Sequence, residues 1–210
     1  MKKAQLICMI SGLLLLLVSV GWASQPMDSV KGTIEEALLI LKDPRYADSN
    51  HLREQQQKIW DITRSMFDFR LIAMRAIGRY HWENSFSDGQ RTEFTDLFAQ
   101  FVGNNYLQRI KGTDLDVQIE YVGQELSETK PLAKVRTKII RPTGEVSLDY
   151  SLRLRDGAWK VYDVYAEGVS LTQNYKTQFK KILMKETPAQ LIDRLKTKVA
   201  EQEQTMTTAD

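Results

Sequence analysis

Apolar residues, with Thr137 as the one exception, occupy every second position in three segments in the middle of the chain, and this period constrains the fold more than any other feature. The segments are residues 115–121, 133–139 and 146–154, and a fourth segment, 159–166, is rich in aromatic and β-branched residues. Successive side chains of a β-strand point to opposite faces, so the pattern predicts four strands, each with one apolar and one solvated face. Short turns between the later strands predict an antiparallel sheet.

Helical periodicity replaces the strand period on both sides of this region. The predicted helices cover residues 27–41, 52–66, 68–77, 87–112, 170–184 and 187–203. Three capping boxes, in which Ser or Thr precedes Gln by three positions, mark helix starts at Ser87, Ser170 and Thr187. Helices before and after one sheet predict a single α+β domain, with N-terminal helices, a curled four-stranded antiparallel sheet and C-terminal helices.

The first 23 residues have the composition of a secretory signal peptide. Two lysines precede an apolar stretch over residues 6–20, and small residues predict cleavage near Ala23. An uncleaved membrane anchor is the alternative, but the stretch is shorter than the roughly 20 residues of a spanning helix. Lipidation of Cys8 is disfavoured because no apolar segment precedes it. We therefore expect an exported domain over residues 24–203 and a flexible polar tail over residues 204–210.

Charge and cysteine content exclude several classes of protein. The chain has 29 lysines and arginines against 27 acidic residues, and two of the lysines lie in the predicted signal peptide. The exported chain therefore has no basic excess, which disfavours a nucleic-acid-binding protein. Its single cysteine, Cys8, is lost with the signal peptide, so we expect no disulfide, no cysteine nucleophile and no thiolate metal site.

Catalytic and metal-binding motifs are absent from the sequence. The two histidines, His51 and His81, lie 30 residues apart without a second ligand at metal-binding spacing, and no nucleotide-binding or hydrolase fingerprint occurs. We predict no catalytic residue, no metal site and no cofactor. Asp68 and Asp163 lie within apolar runs, and a buried carboxylate must be paired or hydrogen-bonded. We predict structural roles for both, with Asp68 as the cap of a helix through the Leu71 N–H.

The apolar residues are numerous enough to fill a core or to line a pocket. The sheet has one apolar face, and the helices add broad apolar stripes that include Phe94, Phe98 and Phe101. From the residues alone, a filled core is the favoured interpretation. A lipid pocket would use the same residues and would leave a cleft where the helices and the concave face of the sheet do not meet.

Two long blocks of the sequence resemble the MlaC family of secreted phospholipid carriers. The first is FDFRLIAMRAIGRYHWENSFSDGQRTEFTDLFAQFVGNNY, residues 67–106, and the second is DGAWKVYDVYAEGVSLTQNYKTQF, residues 156–179. In the first block the matching positions are Asp68, Phe69, Gly78, Trp82, Gln90, Arg91, Phe94, Phe98 and Tyr106. In the second block the matching strings are WKVYD and EGVS, and the resemblance extends over residues 30–195.

This resemblance implies a fold that encloses a deep hydrophobic pocket for acyl chains and leaves the lipid headgroup near solvent. It implies a periplasmic carrier without catalytic activity, which we expect to be a monomer. It also implies two partners, an outer-membrane lipoprotein complex and an inner-membrane ABC transporter, and a role in outer-membrane lipid asymmetry. Some similar proteins are tied to hopanoids or to toluene tolerance, so a hopanoid or another apolar ligand is the alternative cargo.

Fourteen apolar or aromatic residues on the inward faces of the predicted sheet and helices are our candidates for lipid contact. They are Ile72, Ile77, Phe94, Phe98, Phe101, Ile119, Tyr121, Val135, Ile139, Tyr150, Leu152, Val161, Val169 and Phe179. Arg70, Lys138 and Lys176 are candidates for a phosphate contact at the pocket mouth, although a solvated face is the favoured interpretation for each.

Two other functions compete with the carrier. A small pocket-bearing α+β enzyme predicts an acid/base pair inside the cavity, whereas a carrier predicts a nearly uniform apolar lining. A periplasmic adaptor without cargo predicts a filled core and an exposed apolar patch. The volume and lining of any cavity therefore discriminate among the three.

Overall fold

A computed structural model describes residues 25–46, 51–111 and 117–208, which form helices on either side of one antiparallel sheet. The helices are α1 (Pro26–Lys42), α2 (Leu52–Met66), α3 (Phe69–Ile77), α4 (Arg79–Asn84), α5 (Asp88–Lys111), α6 (Leu171–Leu183) and α7 (Pro188–Thr208). The predicted signal peptide lies outside the described residues. Within the described ranges, none of the helices combines the length and the apolar composition needed to span a bilayer. The architecture confirms the predicted α+β class.

Five strands follow one another as neighbours in the sheet. They are β1 (Gln118–Leu126), β2 (Leu132–Arg141), β3 (Gly144–Arg155), β4 (Ala158–Ala166) and β5 (Val169–Ser170), and every pair is antiparallel. The prediction of four strands was therefore one strand too few. β5 has only two residues, too few for any alternation to be visible, and it pairs with β4 across the two-residue turn Glu167-Gly168. Both turn residues have positive φ, as the twist of a short hairpin requires.

The predicted helix caps are confirmed. The Ser87 N–H donates to Gln90 Oε1 at 3.0 Å and the Gln90 N–H donates back to Ser87 Oγ at 3.3 Å, so the capping box is reciprocal. The same reciprocal pair forms between Thr187 and Gln190. Ser170 Oγ accepts from the Gln173 N–H at 3.1 Å. These contacts satisfy amide groups that have no partner within the helix, and they fix where α5, α6 and α7 begin.

Two features of the helices were not predicted. α4 is a short helix directly after Gly78, whose φ of 86° ends α3 and redirects the chain. Its six residues are too few for a periodic pattern. The last helix also continues beyond residue 203, the predicted end of the domain, to Thr208.

The buried side chains form two separate hydrophobic clusters. We call the first the helical cluster. Its side chains come from the helices α3 through α7, and Phe94, Phe98 and Phe179 at its centre are in mutual aromatic contact. We call the second the sheet cluster; it packs Val30 of α1 and Met66 of α2 on the apolar face of the sheet. Only Phe67 packs against both clusters among the described residues. The two cores therefore do not merge into one.

Candidate ligand-binding pocket

A cavity of about 300 Å³ lies between the two clusters. Its wall includes Ile72, Phe98 and Val102 of the helical cluster, and Met66 and Tyr150 of the sheet cluster. Interiors of folded proteins are normally close-packed, with few voids larger than a water molecule. A space of this size between two complete cores matches the lower end of the volumes of small-molecule sites.

α1 and α2 supply nearly half of the wall. The contacting residues include Ile34, Ala37 and Leu41 on α1, and Ile59, Trp60 and Ile62 on α2. They recur at helical spacing, so one stripe of each helix faces the cavity. The sequence predicted a helix over residues 27–41, but none of its residues was among the fourteen candidates for lipid contact. Periodicity shows which face of a helix is buried, and it cannot show whether that face meets atoms or a void.

The lining is almost entirely apolar. Among the described residues that line the cavity, the polar side chains are Thr33, Thr63, Tyr150 and the indole of Trp60, and none is a carboxylate, an imidazole or an amine. The two threonine hydroxyls donate to carbonyls of their own helices, to Ser29 O at 2.9 Å and to Ile59 O at 2.7 Å. Their hydrogen-bonding capacity is therefore largely used within the helix, and the cavity presents a dry hydrocarbon surface.

Tyr150 is the polar side chain that the sheet contributes to the wall. Burial is the main cause that raises the pKa of Tyr150. The Thr137 hydroxyl donates its proton to Leu148 O at 2.8 Å. The phenol therefore stays neutral at physiological pH, and no charge develops at the pocket wall.

Because the Tyr150 phenol is buried, we expect the protein to lose stability at alkaline pH. A Tyr150→Phe variant should lose less, since it has no phenol to ionise. Tyrosines of the unfolded chain ionise near pH about 10, and the folded state retains the Tyr150 proton above that pH. The unfolded state therefore binds fewer protons, and stability falls as the pH rises, by up to about 1.4 kcal/mol per pH unit for this group. Urea unfolding on both sides of that pH should show a smaller decline for Tyr150→Phe. Parallel declines for the two proteins would contradict the assignment.

A β-bulge determines which residues of β4 reach the cavity. Val161 pairs with Leu152 and Asp163 pairs with Ser151, so Tyr162 is an extra residue without a partner in β3. The bulge shifts the alternation by one position, and Val164 rather than Asp163 joins Tyr150 on the pocket face. The sequence pattern alone places residues 159, 161 and 163 on one face, so Val164 was missed.

The Trp60 indole packs directly against the backbone of Gly103 at one part of the cavity wall. A Cβ atom added at Gly103 of α5 would lie 2.7 Å from Trp60 Cζ3, closer than real contacts allow. The indole also packs on the Phe69 ring at a centroid distance of 5.6 Å and lies under the Arg64 guanidinium. The absence of a side chain at Gly103 therefore lets α2 approach α5 beside the cavity.

Two glycines of α5 provide a matched test of this close approach. Gly89→Ala meets no atom within 4 Å, so it should stabilise the protein by up to about 1 kcal/mol, as Ala does in a helix. Gly103→Ala should lose that gain, and destabilise, because Trp60 must move. Urea unfolding of both variants measures the difference. Equal stabilisation by the two substitutions would show that Trp60 does not need the glycine.

The structure brings three of the fourteen predicted lipid-contact residues to the cavity wall: Ile72, Phe98 and Tyr150. Ile77, Phe94, Phe101 and Phe179 lie in or against the helical cluster, and Val135, Leu152 and Val161 lie in the sheet cluster. Ile119, Tyr121 and Ile139 are half-buried in β1 and β2, and Val169 is 61% exposed on β5. The role of all fourteen in lipid contact stays a prediction.

Arg70, Lys138 and Lys176, the candidates for a phosphate contact for which a solvated face was favoured, do not line the cavity. The Arg70 guanidinium lies over the Trp82 ring, with 5.9 Å between the cation and the ring centroid. Lys138 pairs with Glu145 at 3.4 Å, and Lys176 lies on the exposed side of α6.

The two buried carboxylates have the structural roles that the sequence predicted. Asp68 caps α3 by accepting from the Leu71 N–H at 3.0 Å, and it pairs with Arg153 of β3. Asp163 is fully buried and pairs with Arg75 of α3 at 3.3 Å. Both tie α3 to the sheet, which places Ile72 at the cavity wall between them.

Fold and site together define a single-domain α+β protein built around an apolar pocket between two hydrophobic cores. The family model described as MlaC protein matches residues 31–197. The chain therefore belongs to the MlaC family.

One solved structure gives the same result at the level of the fold. The chain is similar to a phospholipid-binding protein from Ralstonia solanacearum, solved in complex with a phospholipid, with a TM-score of 0.72 and 21% sequence identity. The likeness covers 86% of this chain and 99% of that chain, and at this identity it shows a shared fold. No curated protein matches the sequence.

Proposed function

We propose that this protein is a soluble periplasmic carrier that holds the acyl chains of a phospholipid in the pocket between its two cores. The observation that carries the proposal is the cavity of about 300 Å³ whose described lining has no charged group. Membership of the MlaC family and the phospholipid complex of the Ralstonia protein support the same cargo. The acyl chains would lie in the pocket and the charged headgroup outside it.

Magnitudes explain why lipid transport needs such a pocket. Each CH₂ group removed from water is worth about 0.8 kcal/mol, so a chain of ~16 carbons costs roughly 12 kcal/mol to expose. A lipid therefore crosses an aqueous compartment at a useful rate only inside an apolar shield. The wall formed by α1, α2 and the sheet supplies that kind of surface.

The composition of the wall favours a carrier over an enzyme with the same fold. General acid/base catalysis needs a titratable side chain within hydrogen-bond reach of the substrate. Tyr150 is the one ionisable side chain among the described lining residues, and burial keeps it protonated. Asp68 and Asp163, the buried acids, are held in ion pairs outside the cavity.

The route of transport is also part of the proposal. The signal peptide over residues 1–23 would direct the chain to the periplasm, where it would carry lipid between an outer-membrane lipoprotein complex and an inner-membrane ABC transporter. Such traffic would maintain the lipid asymmetry of the outer membrane. The domain over residues 24–203 would bind the lipid, and the last turns of α7 lie beyond it.

Transfer between vesicles tests the carrier function. Donor vesicles hold a radiolabelled phospholipid, acceptor vesicles hold none, and the purified protein is added between them. We expect the rate of label transfer to rise in proportion to protein concentration, because each molecule moves lipid as a complex. Transfer at the protein-free rate would contradict the proposal.

A further inference from the structure

The outer face of α6 carries lysines that have no acidic partner. Lys176, Lys180, Lys181 and Lys185 are all exposed, and none has a carboxylate within 4.0 Å among the described residues. No Asp or Glu occurs between Glu167 and Glu186. Glu186, at the end of this stretch, is held by Arg194 at 2.6 Å. We call these four lysines the α6 lysine face.

Lysines elsewhere in the described structure commonly have partners. Lys58 pairs with Glu54 at 2.8 Å, Lys134 with Asp149 at 3.0 Å, and Lys198 with Glu201 at 2.6 Å. The α6 lysine face is therefore a local excess of positive charge on a chain whose overall charge is close to balanced.

An exposed methionine lies among these lysines. Met184 is 75% exposed directly after α6, with helical backbone angles. It follows Lys180 by four positions and Lys181 by three, so the three side chains are neighbours on the helix surface. The opposite side of α6 packs through Thr172, Phe179 and their neighbours on the core. The outer face thus combines cations with one exposed apolar side chain.

We infer that the α6 lysine face binds an anionic phospholipid membrane surface. Lysines around an apolar side chain on a surface helix are typical of reversible contact with acidic lipid headgroups. The exposed residues of α6 include no aromatic residue and no arginine, which are the residues that anchor protein interfaces, whereas lysine is depleted there. A membrane therefore fits this face better than an acidic protein does.

The position of α6 relates this surface to the pocket. Leu171, the first residue of α6, lines the cavity, and Met184 follows the other end of the helix. A bilayer against the outer face of α6 would thus lie beside one wall of the pocket. Binding at this face would depend on the charges of α6 and not on the contents of the cavity, so it is independent of the carrier function.

Sedimentation with vesicles tests the inference. Vesicles of phosphatidylcholine alone are compared with vesicles of equal parts phosphatidylcholine and phosphatidylglycerol. We expect the protein to bind the second kind only, and less as salt is added, because ions screen surface charges beyond about 8 Å at physiological ionic strength. Each lysine near an anionic surface raises binding about fivefold, so Lys180→Gln/Lys181→Gln should weaken it more than tenfold.

A second pair of lysines provides the control. Lys196→Gln/Lys198→Gln on α7 removes the same charge from residues that already pair with Glu93 and Glu201, and it should leave vesicle binding within twofold of the wild type. Two results would overturn the inference: an equal loss of vesicle binding in the two double variants, or equal binding to neutral and anionic vesicles. Absence of binding to anionic vesicles would also overturn it, and would leave an acidic protein as the partner to seek.

A further readout separates this inference from the carrier function. The α6 double variant should retain the phospholipid content of the wild type after purification, because neither lysine lines the pocket. Vesicle binding by a protein that holds no lipid would contradict the carrier function alone. Lipid content without charge-dependent vesicle binding would contradict the inference alone.

Discussion

Replacing Ala37 by Trp is expected to abolish phospholipid binding and to leave the fold intact. Ala37 lies on α1 with its half-buried side chain at the cavity wall. An indole at this position would enter a space of about 300 Å³ that the proposed acyl chain needs. If it displaces about four methylene groups, the loss is about 3 kcal/mol, or more than roughly a hundredfold in affinity.

The effect on stability separates a filled pocket from a damaged fold. Filling an existing cavity with apolar atoms restores contacts that the void lacks, so the lipid-free Ala37→Trp variant should unfold at or above the temperature of the lipid-free wild type. Leu39→Trp is the matched control, since Leu39 lies two residues further along α1 and is 73% exposed. The control should bind lipid as the wild type does.

Bound phospholipid per molecule of protein is measured after incubation with vesicles and re-isolation. The proposed site predicts a near-empty Ala37→Trp variant and a fully loaded Leu39→Trp variant. Equal loading of the two variants would show that the cavity between the clusters does not hold the lipid. A variant that unfolds at much lower temperature would show instead that α1 is packed without spare space.

Asp163→Ala is expected to destabilise the protein by about 3–5 kcal/mol, because several donors would lose the one buried carboxylate that they share. The carboxylate is fully buried and accepts from the Ser170 and Thr172 hydroxyls at 2.8 Å each. It also accepts from the backbone N–H of Thr172 at 3.1 Å and of Val164 at 3.0 Å, and it pairs with Arg75. Removing it would leave these donors without their partner.

The position of Asp163 links this loss to the pocket. Its partners belong to α3, to β4, to β5 and to the first turn of α6, and both Val164 and Leu171 line the cavity. Loss of the carboxylate contacts would therefore lower the stability of the protein and also weaken the packing of Val164 and Leu171 at the cavity wall. We expect lipid binding to weaken in Asp163→Ala under conditions in which the variant is still folded.

Urea unfolding with a surface control checks the prediction. Asp61→Ala removes an exposed carboxylate of α2, and it should change the unfolding free energy by less than about 0.5 kcal/mol. Asp163→Asn should be less costly than Asp163→Ala, because the amide oxygen keeps part of the acceptor capacity. A change below about 1 kcal/mol for Asp163→Ala would contradict the structural role of this carboxylate.

The sequence was sufficient for elements whose signal is local or periodic. Alternation identified β1 to β3, and aromatic and β-branched composition identified β4. The capping boxes of Ser87, Ser170 and Thr187 identified three helix starts. These features depend on neighbours within a few residues, so the chemistry that forms them is visible in the sequence. β5 was missed because two residues carry no period.

The pocket could be anticipated as a possibility but not located. Phe94 and Phe98 follow each other at helical spacing on α5, yet only Phe98 reaches the cavity. Val164 reaches it because Tyr162 adds a residue to β4, and Trp60 reaches it because Gly103 has no side chain. Each of these facts depends on contacts between distant segments. The hydrophobic pattern predicts which residues are buried. It does not predict where two buried surfaces leave a cavity between them.

Native mass spectrometry of the wild-type protein, isolated from its own host, determines directly whether the pocket holds phospholipid. We expect the mass of the chain plus phospholipid, an adduct that organic extraction removes and identifies. We expect Ala37→Trp to lose this adduct and Leu39→Trp to keep it. The mass of the chain alone, or an adduct of equal abundance in Ala37→Trp, would contradict the claim that this pocket carries lipid.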